Sequence, residues 1–122
     1  MQAYLLVGAG GAIGAILRYF VATLIAATFP YATMIINITG SLAMGLLIGI
    51  LARTLPPMQN EIRLFVAVGI LGGFTTFSAF SLDAVTLWER GDLTGAGLYV
   101  TISVVVSILA LFAGLMVTRI GV

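Results

Sequence analysis

Four long apolar stretches, separated by short connectors, constrain this chain more than any other feature of its sequence. They cover about residues 3–28, 33–51, 64–88 and 98–119. A helix needs ~20 mostly apolar residues to cross ~30 Å of hydrocarbon, so these stretches are long enough to span a bilayer. We therefore predict an all-α integral membrane protein with four transmembrane helices, folded as a single transmembrane domain over residues 1–122.

The composition argues against a soluble domain. Of the 122 residues, 61% are hydrophobic and 7% are charged, whereas soluble domains carry roughly 25% charged residues. A soluble chain of this length would expose much of its apolar surface to water. We expect lipid to be the surrounding solvent, and we interpret the N-terminal apolar stretch as a first span rather than a signal peptide.

Two absent residue types narrow the function. The chain has no cysteine and no histidine, which removes the usual transition-metal ligand sets and most nucleophilic triads. Its net charge of +1 gives no indication of a nucleic-acid partner, and no protein partner is implied. We expect that the protein is not an enzyme.

The arginines give a weak orientation signal. With four spans, Arg53, Arg63 and Arg119 share one side of the membrane. Arg90 lies on the other side, and Arg18 lies within the first span. Orientation follows basic residues in the loops, and this bias is small. The chain can insert mainly one way or in both orientations, and dual insertion would permit an antiparallel dimer.

The third stretch contains the most informative motif, Gly-Gly-Phe-Thr-Thr-Phe-Ser-Ala-Phe at residues 72–80. Adjacent glycines are unfavourable in a continuous helix, where each Gly costs ~1 kcal/mol relative to Ala. We predict that the third helix is broken near mid-membrane, where freed backbone groups can form an ion site. The alternative is a continuous helix whose glycines contact a neighbour and whose hydroxyls bond to the preceding turn.

A phenylalanine stripe runs through the same motif. Phe74, Phe77 and Phe80 recur every three residues, with Ser78 and Ser81 between them. Such a stripe often serves lipid contact or core packing. The edge of an aromatic ring also carries partial positive charge, so it can face an anion.

Polar side chains at membrane depth are further candidates, because each costs free energy to place there. Asn37 either joins two helices or offers two N–H donors to an anion. Tyr99, Ser103 and Ser107 recur every four residues, which puts three hydroxyls on one helix face. Asp83 could pair with Arg18, cap a half-helix or line a vestibule. Amide and hydroxyl donors without a buried lysine suit a small, strongly hydrated anion.

Four motifs in order resemble the small bacterial fluoride-channel family, Fluc or CrcB, over essentially the whole chain. Residues 72–80 resemble the family's GGxTTFSTF signature, with Ala79 where the family often has threonine. Residues 11–19 are similar to its G-x-x-G-A-x-x-R-[YW] motif. Asn37 stands at the family's asparagine before Gly40, and a Tyr-x3-Ser-x3-Ser track follows in the last span.

This resemblance implies a fluoride-selective channel that exports fluoride passively and protects a bacterial cell from its toxicity. It implies an antiparallel homodimer with two pores in the cytoplasmic (inner) membrane, so the partners are fluoride, a second copy and the lipid bilayer. The carbonyls of Gly72 and Thr75 from both subunits would bind one central structural sodium ion, and Arg18 would be an anchoring or vestibule residue. The implied pore residues are Asn37, Phe77, Ser78, Phe80, Tyr99, Ser103 and Ser107.

Two rival classes of membrane protein share the size of this chain. A small multidrug or cation exporter needs a titratable carboxylate at mid-membrane, whereas the first span has no Asp or Glu and Asp83 lies near the end of the third. A non-transporting assembly subunit would leave the break, the phenylalanine stripe and the hydroxyl track without a joint purpose.

Overall fold

The computed structural model describes residues 1–120, and within them all regular structure is helical. In chain order the helices are α1 (Gln2–Leu24), α2 (Tyr31–Thr54), α3 (59–74, π-helical over Arg63–Leu71), α4 (Phe77–Glu89) and α5 (Leu93–Ile120).

Four helical segments are long and apolar enough to cross a membrane. They are Gln2–Leu24, Tyr31–Thr54, Gln59–Glu89 and Leu93–Arg119, and the third of them contains both α3 and α4. Large apolar side chains such as Ile16, Leu82 and Phe112 remain exposed on their outer faces. The prediction of an all-α protein with four potential spans is therefore confirmed.

Two helices end away from the predicted limits. The limits were predicted from where apolar residues occur in the sequence, which does not indicate the backbone turn that ends a helix. α1 ends at Leu24 rather than near residue 28, since Ile25 leaves the helical conformation with φ −113°. α2 continues past residue 51 and ends at Thr54, where Leu55 adopts the left-handed conformation. The polar connector that follows is correspondingly shorter than predicted.

The last helix begins before its predicted limit for a similar reason. It starts at Leu93 rather than near residue 98. The Asp92 carboxylate accepts a hydrogen bond from the Gly95 N–H at 2.9 Å, and the Asp92 carbonyl accepts one from the Ala96 N–H. Aspartate in this role satisfies N–H groups that the first helical turn leaves without partners.

Backbone contact between glycines joins α1 to α3. A Cβ added at Gly10 would lie 2.9 Å from the Gly69 Cα, and one added at Gly14 would lie 2.8 Å from the Phe74 nitrogen. Both distances are shorter than real Cβ contacts allow. Only glycine at these positions permits the two helices to approach so closely.

Glycines also join α2 to α5. A Cβ at Gly45 would lie 2.9 Å from the Leu111 carbonyl carbon, and one at Gly114 would lie 2.7 Å from the Leu46 nitrogen. The chain therefore forms two close helix pairs, α1 with α3 and α2 with α5.

The backbone leaves the helical conformation between α3 and α4. Thr75 has φ −81° and ψ 160°, and Thr76 has φ −154° and ψ 120°. Both residues are extended, and the helix resumes at Phe77. This interruption falls within the third apolar segment and next to α2, where the candidate site lies.

Candidate ion site

A cavity of about 350 Å³ lies between α2, the 75–80 segment and α5. It brings together five of the predicted pore residues and one of the predicted cation-binding residues. Every lining side chain is uncharged. The lining residues are Asn37, Gly40, Ser41, Met44, Thr75, Thr76, Phe77, Phe80, Ser103, Val104, Ser107, Ile108 and Leu111.

Asn37 bonds to the interrupted segment through both ends of its amide. Its Nδ2 donates to the Thr76 carbonyl at 3.0 Å, and its Oδ1 accepts from the Thr76 N–H at 2.8 Å. The amide thus replaces helical partners that the extended backbone of Thr76 has lost. An amide nitrogen has two hydrogens, so one donor of Asn37 remains available to the cavity.

Ser103 and Ser107 supply hydroxyl groups to the same cavity from α5. Ser103 is buried and Ser107 is half-buried. Within residues 1–120, neither Oγ atom has a hydrogen-bond partner, although both atoms are buried. A buried polar group without a partner costs roughly 1–3 kcal/mol, so a bound species that accepts hydrogen bonds would recover free energy here.

The two phenylalanines of the predicted pore occupy different environments. The Phe77 side chain is 78% exposed at the edge of the cavity, whereas Phe80 is buried. Their ring centroids lie 5.5 Å apart with the planes tilted by 56°. The Phe80 ring is also packed against Tyr99, at a centroid distance of 5.3 Å.

Tyr99 is fully buried and does not line the cavity. Its hydroxyl donates a hydrogen bond to Asp83 Oδ2 at 3.0 Å. Asp83 is thus joined to α5 through Tyr99, a partner that the sequence did not indicate. Phe29 packs edge-on against the same tyrosine, with ring centroids 5.8 Å apart.

Three further predicted residues lie outside the cavity lining. Ser78 is exposed, and its Oγ lies 3.3 Å from Thr76 Oγ1. Gly72 is exposed at the end of α3. Arg18 is half-buried on α1, the helix that packs against α3 rather than against the cavity.

The interruption frees the two carbonyls that the sequence resemblance assigns to a cation. In a continuous helix the Thr76 N–H would bond to the Gly72 carbonyl, but here it bonds to Asn37. The Ala79 N–H would bond to the Thr75 carbonyl, but here it bonds to Thr76 Oγ1 at 3.0 Å. Each oxygen thus lacks the donor that a continuous helix would supply, and neutral oxygen atoms are suitable ligands for a hard cation.

Thr76 is a residue of the candidate site that sequence reasoning missed. It is buried, it caps α4 through its side chain, and both of its backbone polar groups bond to Asn37. Threonine before a run of helix-forming residues is a recognised N-cap signal, and it could have indicated that α4 begins at Phe77.

Comparisons with known proteins agree with this architecture. A family model described as CrcB-like protein, Camphor Resistance (CrcB), matches residues 5–115. A protein named fluoride-specific ion channel FluC from Chelativorans sp. strain BNC1 is 52% identical over 98% of both chains. A protein of the same name from Mesorhizobium japonicum is 55% identical to this chain over 94% of both chains. Another, from Agrobacterium fabrum, is 51% identical over 93% of this chain and 94% of that relative.

The match includes the second and third potential spans and most of the first and fourth. The identities extend over nearly the full length of each relative. The four apolar helices and these relatives together identify a multi-pass membrane protein. The chain belongs to the CrcB family, whose relatives above are named fluoride-specific ion channels.

Proposed function

We propose that this protein is a fluoride-selective channel that lets fluoride leave the cell passively, down its electrochemical gradient, and so limits fluoride toxicity. The observation that carries the proposal is the pair of buried hydroxyls of Ser103 and Ser107, which have no partner among the described residues and face an uncharged cavity. The names of the relatives supply the identity of the ion.

The cavity chemistry suits fluoride better than a larger or softer ion. Fluoride is small and accepts hydrogen bonds strongly, and the lining offers the hydroxyls of Ser103 and Ser107 and the remaining N–H of Asn37. The ring edges of Phe77 and Phe80 add partial positive charge without a full countercharge. Conduction requires binding that replaces water and yet permits release, and a site without a lysine or arginine meets that requirement.

The proposed assembly is an antiparallel homodimer with two pores, in the cytoplasmic membrane of a bacterium. Phe77 is 78% exposed in the single chain, and a second copy would cover its ring and close the open side of the cavity. In this arrangement the interruption at Thr75 and Thr76 lies near mid-membrane, where non-helical backbone is tolerated if it lines a protein-enclosed site. Ser78 and Tyr99 would complete the ion path, and Arg18 would line a vestibule.

A structural sodium ion between the two subunits fits the free carbonyls of Gly72 and Thr75. The carbonyl oxygens of Gly72 and Thr75 from both copies would hold the ion, and its charge would offset their partial negative charge. Asn37 and Thr76 would hold the two backbone segments in place.

The test is fluoride efflux from liposomes that contain the purified protein, followed with a fluoride electrode. A potassium ionophore is added to release the membrane potential, and chloride is measured in parallel. Rapid fluoride loss that requires the ionophore, with chloride retained, is the expected result. Fluoride retention by folded, reconstituted protein would contradict the proposal, and fluoride loss without the ionophore would indicate electroneutral transport instead of a channel.

A further inference from the structure

We infer that Asn37 and Thr76 act as positioning residues for the proposed cation site, by keeping two backbone N–H groups away from the Gly72 and Thr75 carbonyls. The inference rests on the proposed function, because it concerns the sodium ion of that proposal. It gives Asn37 a second role that is separate from the donation of a hydrogen bond to fluoride.

The Asn37 amide binds the N–H group that a continuous helix would direct to the Gly72 carbonyl. Its Oδ1 lies 2.8 Å from the Thr76 nitrogen, whose N–H a continuous helix would direct to the Gly72 oxygen. The second bond, from Nδ2 to the Thr76 carbonyl at 3.0 Å, fixes the orientation of the peptide on the other side of the same residue. Together the two bonds hold Thr76 in its extended conformation, with φ −154° and ψ 120°.

The Thr76 side chain binds the N–H group that a continuous helix would direct to the Thr75 carbonyl. Its Oγ1 accepts from the Ala79 N–H at 3.0 Å, where a continuous helix would use the Thr75 oxygen. Thr76 is buried and its Oγ1 lies 3.3 Å from Ser78 Oγ, so the cap is held inside the protein. Each of the two carbonyls thus owes its availability to one identified side-chain acceptor.

The arrangement connects the cation site to the anion cavity through a single amide. Asn37 uses Oδ1 and one N–H on Thr76, and its second N–H is left for the cavity that Ser103 and Ser107 also line. A substitution at Asn37 can therefore separate two functions, according to which amide atom it removes.

The Asn37→Asp and Asn37→Leu variants divide these roles. The aspartate keeps an oxygen that accepts from the Thr76 N–H. It loses the N–H that bonds to the Thr76 carbonyl and the N–H left for the cavity. The leucine has neither group and leaves the Thr76 N–H free to bond to the Gly72 carbonyl. We expect both variants to lose fluoride flux. Sodium binding should weaken in both, and less in Asn37→Asp, which keeps the acceptor for the Thr76 N–H.

The measurement is the thermal unfolding midpoint of the purified dimer at fixed protein concentration, as sodium chloride replaces N-methylglucamine chloride. An ion that binds only the folded state raises the midpoint with its concentration, which gives an apparent sodium constant without any transport assay. Loss of a group that orients a metal ligand typically weakens binding ~10–100-fold, and we expect a shift of that size for Asn37→Leu. Thr101→Ala, on the exposed face of α5, is the control.

A second pair keeps the inference testable if Asn37→Leu does not fold. Thr76→Ser retains the hydroxyl that accepts from the Ala79 N–H, whereas Thr76→Val removes it at nearly the same volume. We expect the serine variant to bind sodium like the unmodified protein and the valine variant to bind it at least ~10-fold more weakly.

The outcomes distinguish the positioning roles of Asn37 and Thr76 from the existence of the sodium site. A sodium response in the unmodified protein that persists unchanged in both Asn37→Leu and Thr76→Val would overturn the inference and leave the proposed sodium site intact. An equal loss of the response in Asn37→Asp and Asn37→Leu would also overturn it, because only the aspartate keeps the acceptor for the Thr76 N–H. No sodium response in a fluoride-conducting, unmodified protein would refute the sodium ion itself, and the inference with it.

Discussion

The two close helix pairs of this protein are both held together by glycine contacts, but only one of them lines the cavity of the candidate site. α1 and α3 meet through Gly10, Gly14, Gly69 and Gly73 with their backbones in contact. α2 and α5 meet in the same way around Gly45 and Gly114, but farther along the pair Asn37, Ser103 and Ser107 line a cavity of about 350 Å³.

The comparison indicates how a membrane protein this small can combine stability with a polar site. In lipid, the close approach of small residues stabilises helix pairs through packing. Because Gly45 and Gly114 hold α2 to α5 through backbone contact, Ser103 and Ser107 need not contribute to the stability of that pair. Their hydroxyls can then remain without protein partners and be available to an ion.

The largest effect is expected from loss of the α1–α3 contact. A Cβ at Gly14 would meet backbone atoms of Ile70 and Phe74, and rigid backbone cannot move aside as a flexible side chain can. We expect Gly14→Ala to destabilise the protein by about 1–3 kcal/mol or more, measured as the thermal unfolding midpoint in detergent. Gly8→Ala is the matched control, because a Cβ there has no atom within 4 Å among the described residues. Equal midpoints in the two variants would contradict the backbone contact.

The next effect concerns the aromatic edge of the α2–α5 cavity. We expect Phe77→Ile to abolish or sharply reduce fluoride flux, by about 100-fold or roughly 2.7 kcal/mol, because isoleucine fills similar space without a positive ring edge. Fluoride efflux from liposomes measures the loss, and size-exclusion chromatography checks that the protein is folded. Undiminished flux would remove the ring-edge role from Phe77.

A smaller effect is expected from a single hydroxyl. Ser107→Ala removes a donor that has no protein partner within residues 1–120, so folding stability should be unchanged or slightly raised. A hydrogen bond to an ion contributes roughly 1.5–3 kcal/mol, and flux should fall by at least ~10-fold. The pairing of normal unfolding with reduced efflux is the signature sought. If Thr101→Ala, on the exposed face of the same helix, slows flux equally, the cavity hydroxyl has no special role.

The smallest effect concerns a helix end away from both glycine contacts. Asp92→Ala removes the acceptor of the Gly95 N–H at the start of α5, and such a loss costs ~1 kcal/mol. The unfolding midpoint should fall slightly, while fluoride efflux per amount of folded protein stays the same. Restoration of the midpoint by Asp92→Asn, which keeps a capping oxygen, would identify the cap as the cause, and a lasting deficit would point elsewhere.

The parts of the fold that depend on composition and periodicity could be predicted from the sequence. Apolar stretch length gave four potential spans, and four-residue spacing placed Ser103 and Ser107 on one helix face, where the structure has both in the cavity. The helix pairing could not be predicted in this way, since small residues that permit close approach occur throughout the chain. Phe77 and Asn37 were recognised by residue type and by motif.

The bond between Asn37 and Thr76 lay beyond sequence reasoning, because it joins residues 39 positions apart. An asparagine in a span indicates that some polar partner exists, but it does not indicate which one. Tyr99 illustrates the same limit. The four-residue spacing predicts its place on the hydroxyl face. Its burial beside Phe80 and its bond to Asp83 depend on how α4 packs against α5, which the spacing does not indicate.

The π-helical stretch Arg63–Leu71 allows the third span to lose a residue without a shift of the residues that follow it. Its backbone bonds reach five residues back, as from the Gly72 N–H to the Ala67 carbonyl, so the stretch holds more residues per turn than an α-helix. Removal of one residue there, for example the exposed Val68, could be absorbed by conversion to α-helical winding. The threonine pair downstream would then keep its alignment with α2, and length changes in this half of the span need not disturb the ion site.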